Sequence, residues 1–196
     1  MRFLLAAALL FALPTYAAEH EFAQCLLCHG TDANGNIGIR APKLSGMDRW
    51  YIARQLAAFR SGLRGTHAQD VNGSEMRTIA SHLSEDATAR AVDYIASLPS
   101  KKSTPTVSGD TRKGAALYAT CAACHGKKGE GNAALNAPRL IRSSDWYLVT
   151  QLNNYRNGLR GTEPQDTHGA AMRAAASVLP DTQAVVNVVA YINTFR

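Results

Sequence analysis

The sequence predicts an all-α fold built from two tandem copies of one unit. Three observations carry this. First, the chain overlays itself on a shift of 96 residues: between residues 25 and 83, 27 of 59 positions are identical to their partners at 121–179, with no gap. Second, apolar residues recur at helical spacing, as Ile52, Leu56, Phe59 and Leu63 in one copy and Leu148, Leu152, Tyr155 and Leu159 in the other. Third, alternating runs of Val, Ile and Thr bounded by turn pairs are missing, aromatic content is only 7%, and alanine is abundant.

The elements follow in order. Met1-Arg2 is a short positive start, Phe3–Leu13 an apolar run, and Thr15, Ala17 and Ala18 supply small residues for cleavage. This is the layout of a secretory signal peptide, assigned to 1–17 with cleavage after Ala17, which puts Thr15 and Ala17 at the positions the peptidase reads. After residue 13 no stretch approaches the roughly 18 apolar residues a spanning helix needs. Domain 1 covers 18–98. Phe22 sits three residues before Cys25 on a short first helix; Asp48 opens a longer helix that Gly62 stops; Val92, Ile95 and Leu98 mark a final helix. Residues 99–109 hold two prolines and several serines and form a partly extended linker. Domain 2 covers 110–196 and repeats the pattern. Asp110 caps its first helix, Asp145 opens the longer one, Gly158 stops it, and Val185, Val188, Ile192 and Phe195 mark the last. The pairs Phe22/Tyr94 and Tyr118/Tyr191 are expected to pack helix on helix.

Chemistry concentrates in two Cys-x-x-Cys-His sites, Cys25, Cys28 and His29, then Cys121, Cys124 and His125. This motif reads as covalent haem c attachment. Two thiols two residues apart reach the two vinyl groups on one edge of the macrocycle, and the following histidine is carried beneath the ring to bind iron. A zinc site wants its Cys pairs closer in sequence, a thioredoxin-like pair wants a βαβ context, and two local disulfides leave both histidines unexplained. The duplication then filters candidates for the opposite axial ligand, since a ligand in one copy recurs in the other. His67, His82 and His168 face Glu163, Val178 and Asn72; His20 has no partner; Met47 faces Ser143. Met76 and Met172 recur, each 47 residues after its site histidine. Met/His ligation fills both axial positions and raises the reduction potential. Pro42 and Pro138 lie 13 residues after the histidines, in a loop where a backbone carbonyl is a candidate to accept the histidine Nδ1–H, the alternative being an ordinary turn proline. Trp50, Tyr51, Trp146 and Tyr147 are candidates to bond the haem propionates. Arg60, Arg64, Arg156 and Arg160 are candidates to offset their charge.

Two CxxCHG halves, each followed by an A-P-[KR]-L loop, a [WY]-Y-x-x-x-Q-L-x-x-[FY]-R-x-G-x-R-G helix and a late methionine, resemble the dihaem cytochrome c4 family over essentially the whole exported chain. Trp50 and Trp146 are bulkier than the pattern leads one to expect, which bears on propionate detail. The resemblance implies two class I cytochrome c domains related by a pseudo-twofold, with haem propionate edges facing across the interface. It also implies two covalent haem c groups and iron cycling Fe(II)/Fe(III). Carried onto this sequence, the attachment residues are Cys25, Cys28, Cys121 and Cys124, and the axial ligands His29 with Met76 and His125 with Met172. Family members are periplasmic electron carriers, often loosely associated with the membrane, between a donor such as a bc1-type complex or a dehydrogenase and a terminal oxidase. The reading is therefore an electron carrier, not an enzyme, and a monomer. The alternative is the dihaem electron-transfer subunit of a dehydrogenase complex such as flavocytochrome c sulfide dehydrogenase.

Charge limits the partners. Residues 18–103 hold 10 basic and 9 acidic side chains, and residues 104–196 hold 10 and 6. Haem propionates bring this modest excess closer to neutral, so nucleic-acid binding has no support. The intact mass of the exported protein is expected to equal the processed chain plus two haem masses. A mass carrying one haem or none contradicts the reading.

Overall fold

A computed structural model describes residues 15–195, with side chains from Phe22 onward. Residues 1–14 of the expected signal peptide lie outside the described residues. The first half holds four helices, α1 (Thr15–His29), α2 (Arg49–Arg60), α3 (Val71–Ser81) and α4 (Glu85–Ser97). The second repeats them as α5 (Thr111–His125), α6 (Asp145–Arg156), α7 (Thr167–Ala176) and α8 (Thr182–Asn193). Among the described residues there is no strand, only the isolated bridges Asn36–Ala41 and Asn132–Ala137 that close a loop in each half. No described helix is long and apolar enough to cross a membrane.

Each half packs its first helix against its last. The α1–α4 contact centres on Phe22 and Tyr94, ring centroids 5.0 Å apart, within a core that includes Met47, Ile52, Val92 and Ile95. The α5–α8 contact centres on Tyr118 and Tyr191 at 5.6 Å, with Val185, Val188, Val189 and Ile192 beneath them. Both aromatic pairs are the expected helix-on-helix packing.

Both longer helices start at the expected aspartates, but neither aspartate caps its helix with its side chain. Asp48 stands at the N-cap of α2 but makes no side-chain cap bond. Its carboxylate instead accepts from Arg139 N in the other half, at 2.9 Å. In the second half the N-cap is Ser144, and Asp145 is the first helical residue. Both helices end before Leu63 and Leu159, which lie past the stops at Gly62 and Gly158. Helices α3 and α7, which carry the recurring methionines, have no counterpart in the sequence reading. Each is capped by an aspartate, Asp70 or Asp166, that accepts from the amide of Gly73 or Gly169.

Contacts between the halves come in reciprocal pairs, as a pseudo-twofold requires. Arg64 reaches Gln151 at 3.0 Å and Arg160 reaches Gln55 at 2.6 Å. Arg139 N meets Asp48, and the equivalent Lys43 N meets Ser144 Oγ at 3.3 Å. The segment joining the halves carries no helix or strand and is pinned at both ends. Ser100 Oγ donates to Ser45 O and Lys101 Nζ to Asp32. Farther on, the buried Asp145 carboxylate accepts from Thr106 N, Thr106 Oγ1, Val107 N and Asn193 Nδ2 at 2.6–3.0 Å.

Burial pushes the Asp145 carboxyl up, but these donors outweigh it and hold the group below the ordinary carboxylate value. Its contribution to stability is therefore complete above the unfolded Asp value of about 3.9 and is lost as pH falls through the lower folded value. An asparagine amide in its place would turn an N–H group toward these donors. Asp145→Asn is expected to cost ~2 kcal/mol at neutral pH and to shrink the loss of melting temperature on acidification. An unchanged neutral-pH melting temperature contradicts the clamp.

Candidate functional site

Each Cys-x-x-Cys-His site occupies the C-terminal turn of the first helix in its half, α1 or α5. Residues three apart on a helix share a face, so both thiols of a pair present to the same side. Cys25 and Cys121 are half-buried, Cys28 and Cys124 exposed, and all four are free thiols. Burial pushes the Cys25 and Cys121 thiols above their ordinary value. Past the histidine the chain reverses at Gly30 or Gly126 and runs through the bridged loop to Pro42 or Pro138.

That loop brings back the expected carbonyl. His29 Nδ1 lies 2.7 Å from Pro42 O, and His125 Nδ1 lies 2.8 Å from Pro138 O. A carbonyl has no proton to give, so Nδ1 donates and the Nε2 lone pair is left free to bind a metal. Both rings are buried. Burial lowers the pKa of each, and the proline carbonyl only partly opposes it. A neutral imidazole is the form that ligates.

In the second half Met172 Sδ stands 3.5 Å from His125 Nε2. Metal–imidazole and metal–sulfur bonds are about 2.0 and 2.3 Å, so these atoms need to part by under about 1 Å to hold one ion between them. In the first half Met76 and His29 line one cleft. Met47 touches that cleft too, yet it belongs to the core around Phe22 and Ile52. Close approach of loop and helix sets the methionine height. Gly65 and Gly161 take positive φ, and a Cβ there would overlap the carbonyls of Gly73 and Gly169 at the start of α3 and α7.

The clefts measure about 190 Å³ in the first half and about 520 Å³ in the second. Each offers two thiols, an imidazole with a free Nε2, a thioether and largely apolar walls. That donor set fits a covalently attached haem, whose iron the imidazole nitrogen and the thioether sulfur would ligate. Tyr51, Gln55, Arg64, Tyr147 and Gln151 line both clefts and so form the wall between them. Arg64 and Arg160 are buried in this region, and the Nε of each has no hydrogen-bond partner. Burial raises the Tyr51 pKa, but the guanidiniums of Arg160 and Arg64 outweigh it and hold the hydroxyl below its ordinary value.

The other propionate candidates divide. Arg60 and Arg156 donate to carbonyls at the far end of the same half, Leu83 O, Leu179 O and Pro180 O. They clasp the fold, and neither lines both clefts, although Arg60 borders the second. Trp50 and Trp146 stack edge-on against Tyr51 and Tyr147, and Arg54 lies over the Trp50 ring. Gln55 and Gln151 entered the sequence reading only as landmarks of the repeat. Their identity at equivalent positions was the signal available for a role in the site.

The profile of the family described as Cytochrome c matches residues 17–99 and 111–196. Thiosulfate dehydrogenase electron acceptor of Thiomonas intermedia is 32% identical over 184 residues, 86% of this chain and 78% of that protein. Cytochrome c4 of Azotobacter vinelandii is 28% identical over 176 residues, 83% of this chain and 80% of that one. The structure of Acidithiobacillus ferrooxidans cytochrome c4 superposes with a TM-score of 0.70 at 25% identity, covering 88% of this chain and 99% of the other. Twofold-related halves, each with its attachment motif and fitting cleft, agree with these likenesses, and the chain belongs to the cytochrome c family as a tandem, dihaem electron-transfer protein of the cytochrome c4 kind.

Proposed function

We propose that this protein is a periplasmic one-electron carrier between a respiratory donor, a dehydrogenase or bc1-type complex, and a terminal oxidase. The observation that carries the reading is the convergence of His125 Nε2 and Met172 Sδ to 3.5 Å above an attachment motif. With a nitrogen and a sulfur donor both committed, bound iron would have no position left for a substrate. Bound haem supplies a one-electron Fe(III)/Fe(II) couple. Cys25 and Cys28 would hold one group by thioether bonds, and Cys121 and Cys124 the other. His29 with Met76 and His125 with Met172 would supply the iron donors. The Pro42 and Pro138 carbonyls fix the imidazole planes, and the apolar walls exclude water. The signal peptide at 1–17 accounts for export, and 18–98, the linker 99–109 and 110–196 are the two domains and their join.

The Thiomonas relative favours a second reading, in which the protein is the dihaem electron-transfer subunit of a dehydrogenase acting on a reduced sulfur compound. Stopped-flow mixing with candidate dehydrogenases, and oxygen uptake with a terminal oxidase, test both readings. Oxidation by the oxidase and purification as a lone dihaem polypeptide support the free carrier. Stable co-purification with one dehydrogenase supports the subunit.

The axial assignment has its own test. Imidazole donates more strongly than a thioether to ferric iron, so Met76→His lowers the potential of the N-terminal haem and Met172→His that of the C-terminal haem. A fall of about 120 mV biases the electron toward the other haem by about a hundredfold, at 59 mV per tenfold change. Each change removes about half of the ferric methionine–iron charge-transfer band, whereas Met47→Leu leaves it whole. Loss of half the band in Met47→Leu, with Met76→Leu unchanged, reverses the assignment in the first half.

A further inference from the structure

Between the two clefts lies a closed ring of four side chains. Arg64 Nη1 donates to Gln55 Oε1 at 2.7 Å, and Arg160 Nη2 donates to the same oxygen at 2.6 Å. Arg160 Nη1 donates to Gln151 Oε1 at 2.7 Å, and Arg64 Nη2 donates to that oxygen at 3.0 Å. Arg64 also reaches Tyr147 Oη at 3.0 Å. Phe59 and Tyr155 stack beneath the two guanidiniums, 4.3 and 4.5 Å from their centroids. The arginines are 6% and 5% exposed. The hydrogen bonds of the ring end on glutamine amide oxygens and the Tyr147 hydroxyl, with the Tyr51 hydroxyl beside Arg160.

Two full positive charges are thus buried side by side on two amide carbonyls. Burying charge without an opposite charge is costly, and like charges at close range add to the cost. Both Nε–H groups remain without a partner. The ring is therefore built for anions, and it is built across the halves. Each arginine bonds one glutamine of its own half and one of the other. Arg64, Gln55 and Gln151 line both clefts.

We propose that this ring is a shared counter-charge, which neutralises the haem carboxylates of both halves and so sets the two reduction potentials together. The inference rests on the dihaem reading above. It assigns Arg64, Arg160, Gln55 and Gln151 as positioning residues whose effect is not confined to the half that carries them. A buried positive charge favours the electron-rich state of whatever lies beside it. Removing one therefore lowers the potential on both sides of the wall.

The test is a spectroelectrochemical titration of the holoprotein, resolving two one-electron midpoints. In Arg64→Gln both midpoints are expected to fall, each by at least a tenfold change in the reduction equilibrium, which is 59 mV for one electron. Gln55→Glu removes no atoms from the ring but places a carboxylate in it, and it too is expected to lower both midpoints. If one variant fails to retain two haems by intact mass, the other decides. Arg49→Gln removes an exposed charge paired with Asp93 and is expected to move neither midpoint by that amount. A single midpoint moving, or neither, in a variant that keeps both haems overturns the shared role. An equal fall of both midpoints in Arg49→Gln overturns it as well. Absence of two haems from the unsubstituted protein would instead defeat the dihaem reading itself.

Discussion

Each half is organised around a hydrogen bond from a buried imidazole to a proline carbonyl thirteen residues onward, 2.7 Å in one half and 2.8 Å in the other. The bond fixes the tautomer and plane of the ring, and that demand propagates outward. The helix carrying the cysteines must end at the histidine, so the chain turns at a glycine with positive φ. The loop must return to place its carbonyl, so it closes on itself through the Asn36–Ala41 or Asn132–Ala137 bridge. Helices α3 and α7 must then stand opposite the free Nε2, and the Gly65–Gly73 and Gly161–Gly169 contacts bring them near enough.

The same arrangement explains why the protein is two halves and not one. A unit of roughly 85 residues buries a limited share of its surface. Here part of its interior is given over to a cleft for the cofactor. The haem therefore completes the core, much as structural metals do in small domains. The halves also cover one another with polar wall residues. Aligning the clefts across a pseudo-twofold lets one set of side chains serve two sites, which independent domains on a flexible tether cannot do.

Local chemistry was legible in the sequence, and long-range chemistry was not. Cys25–His29 and Cys121–His125 declare themselves by spacing alone. The duplication separated Met76 and Met172 from Met47, whose place in the core around Phe22 and Ile52 is a packing role. Pro42 and Pro138 were readable because their distance from the histidines repeats. By contrast, Asp48 and Asp145 look like helix caps, but each carboxylate is taken by partners 91 or about 38 residues away. Helices α3 and α7 escaped because they bury little beyond a glycine and an alanine, so no apolar stripe marks them. Arg60 and Arg64 belong to one motif and have opposite fates. Arg60 ends α2 and reaches back along its own half, whereas Arg64 lies beyond the Gly62 reversal and turns into the wall. Its partners Tyr147 and Gln151 are 83 and 87 residues away, beyond any local pattern.

Duplication supplied the symmetry, and later differences broke it where the halves meet. The contact of Arg139 N with the Asp48 carboxylate is matched on the other side of the axis by Lys43 N with the neutral Ser144 hydroxyl. One side of the interface thus carries a negative charge that the other lacks. The clefts differ in size, about 520 against about 190 Å³, and net charge gathers in the second half of the sequence. A carrier with two identical sites has no internal preference for where an electron rests. Unequal surroundings on a shared wall would create such a preference without changing a residue type of the two candidate donor sets, which match between the halves.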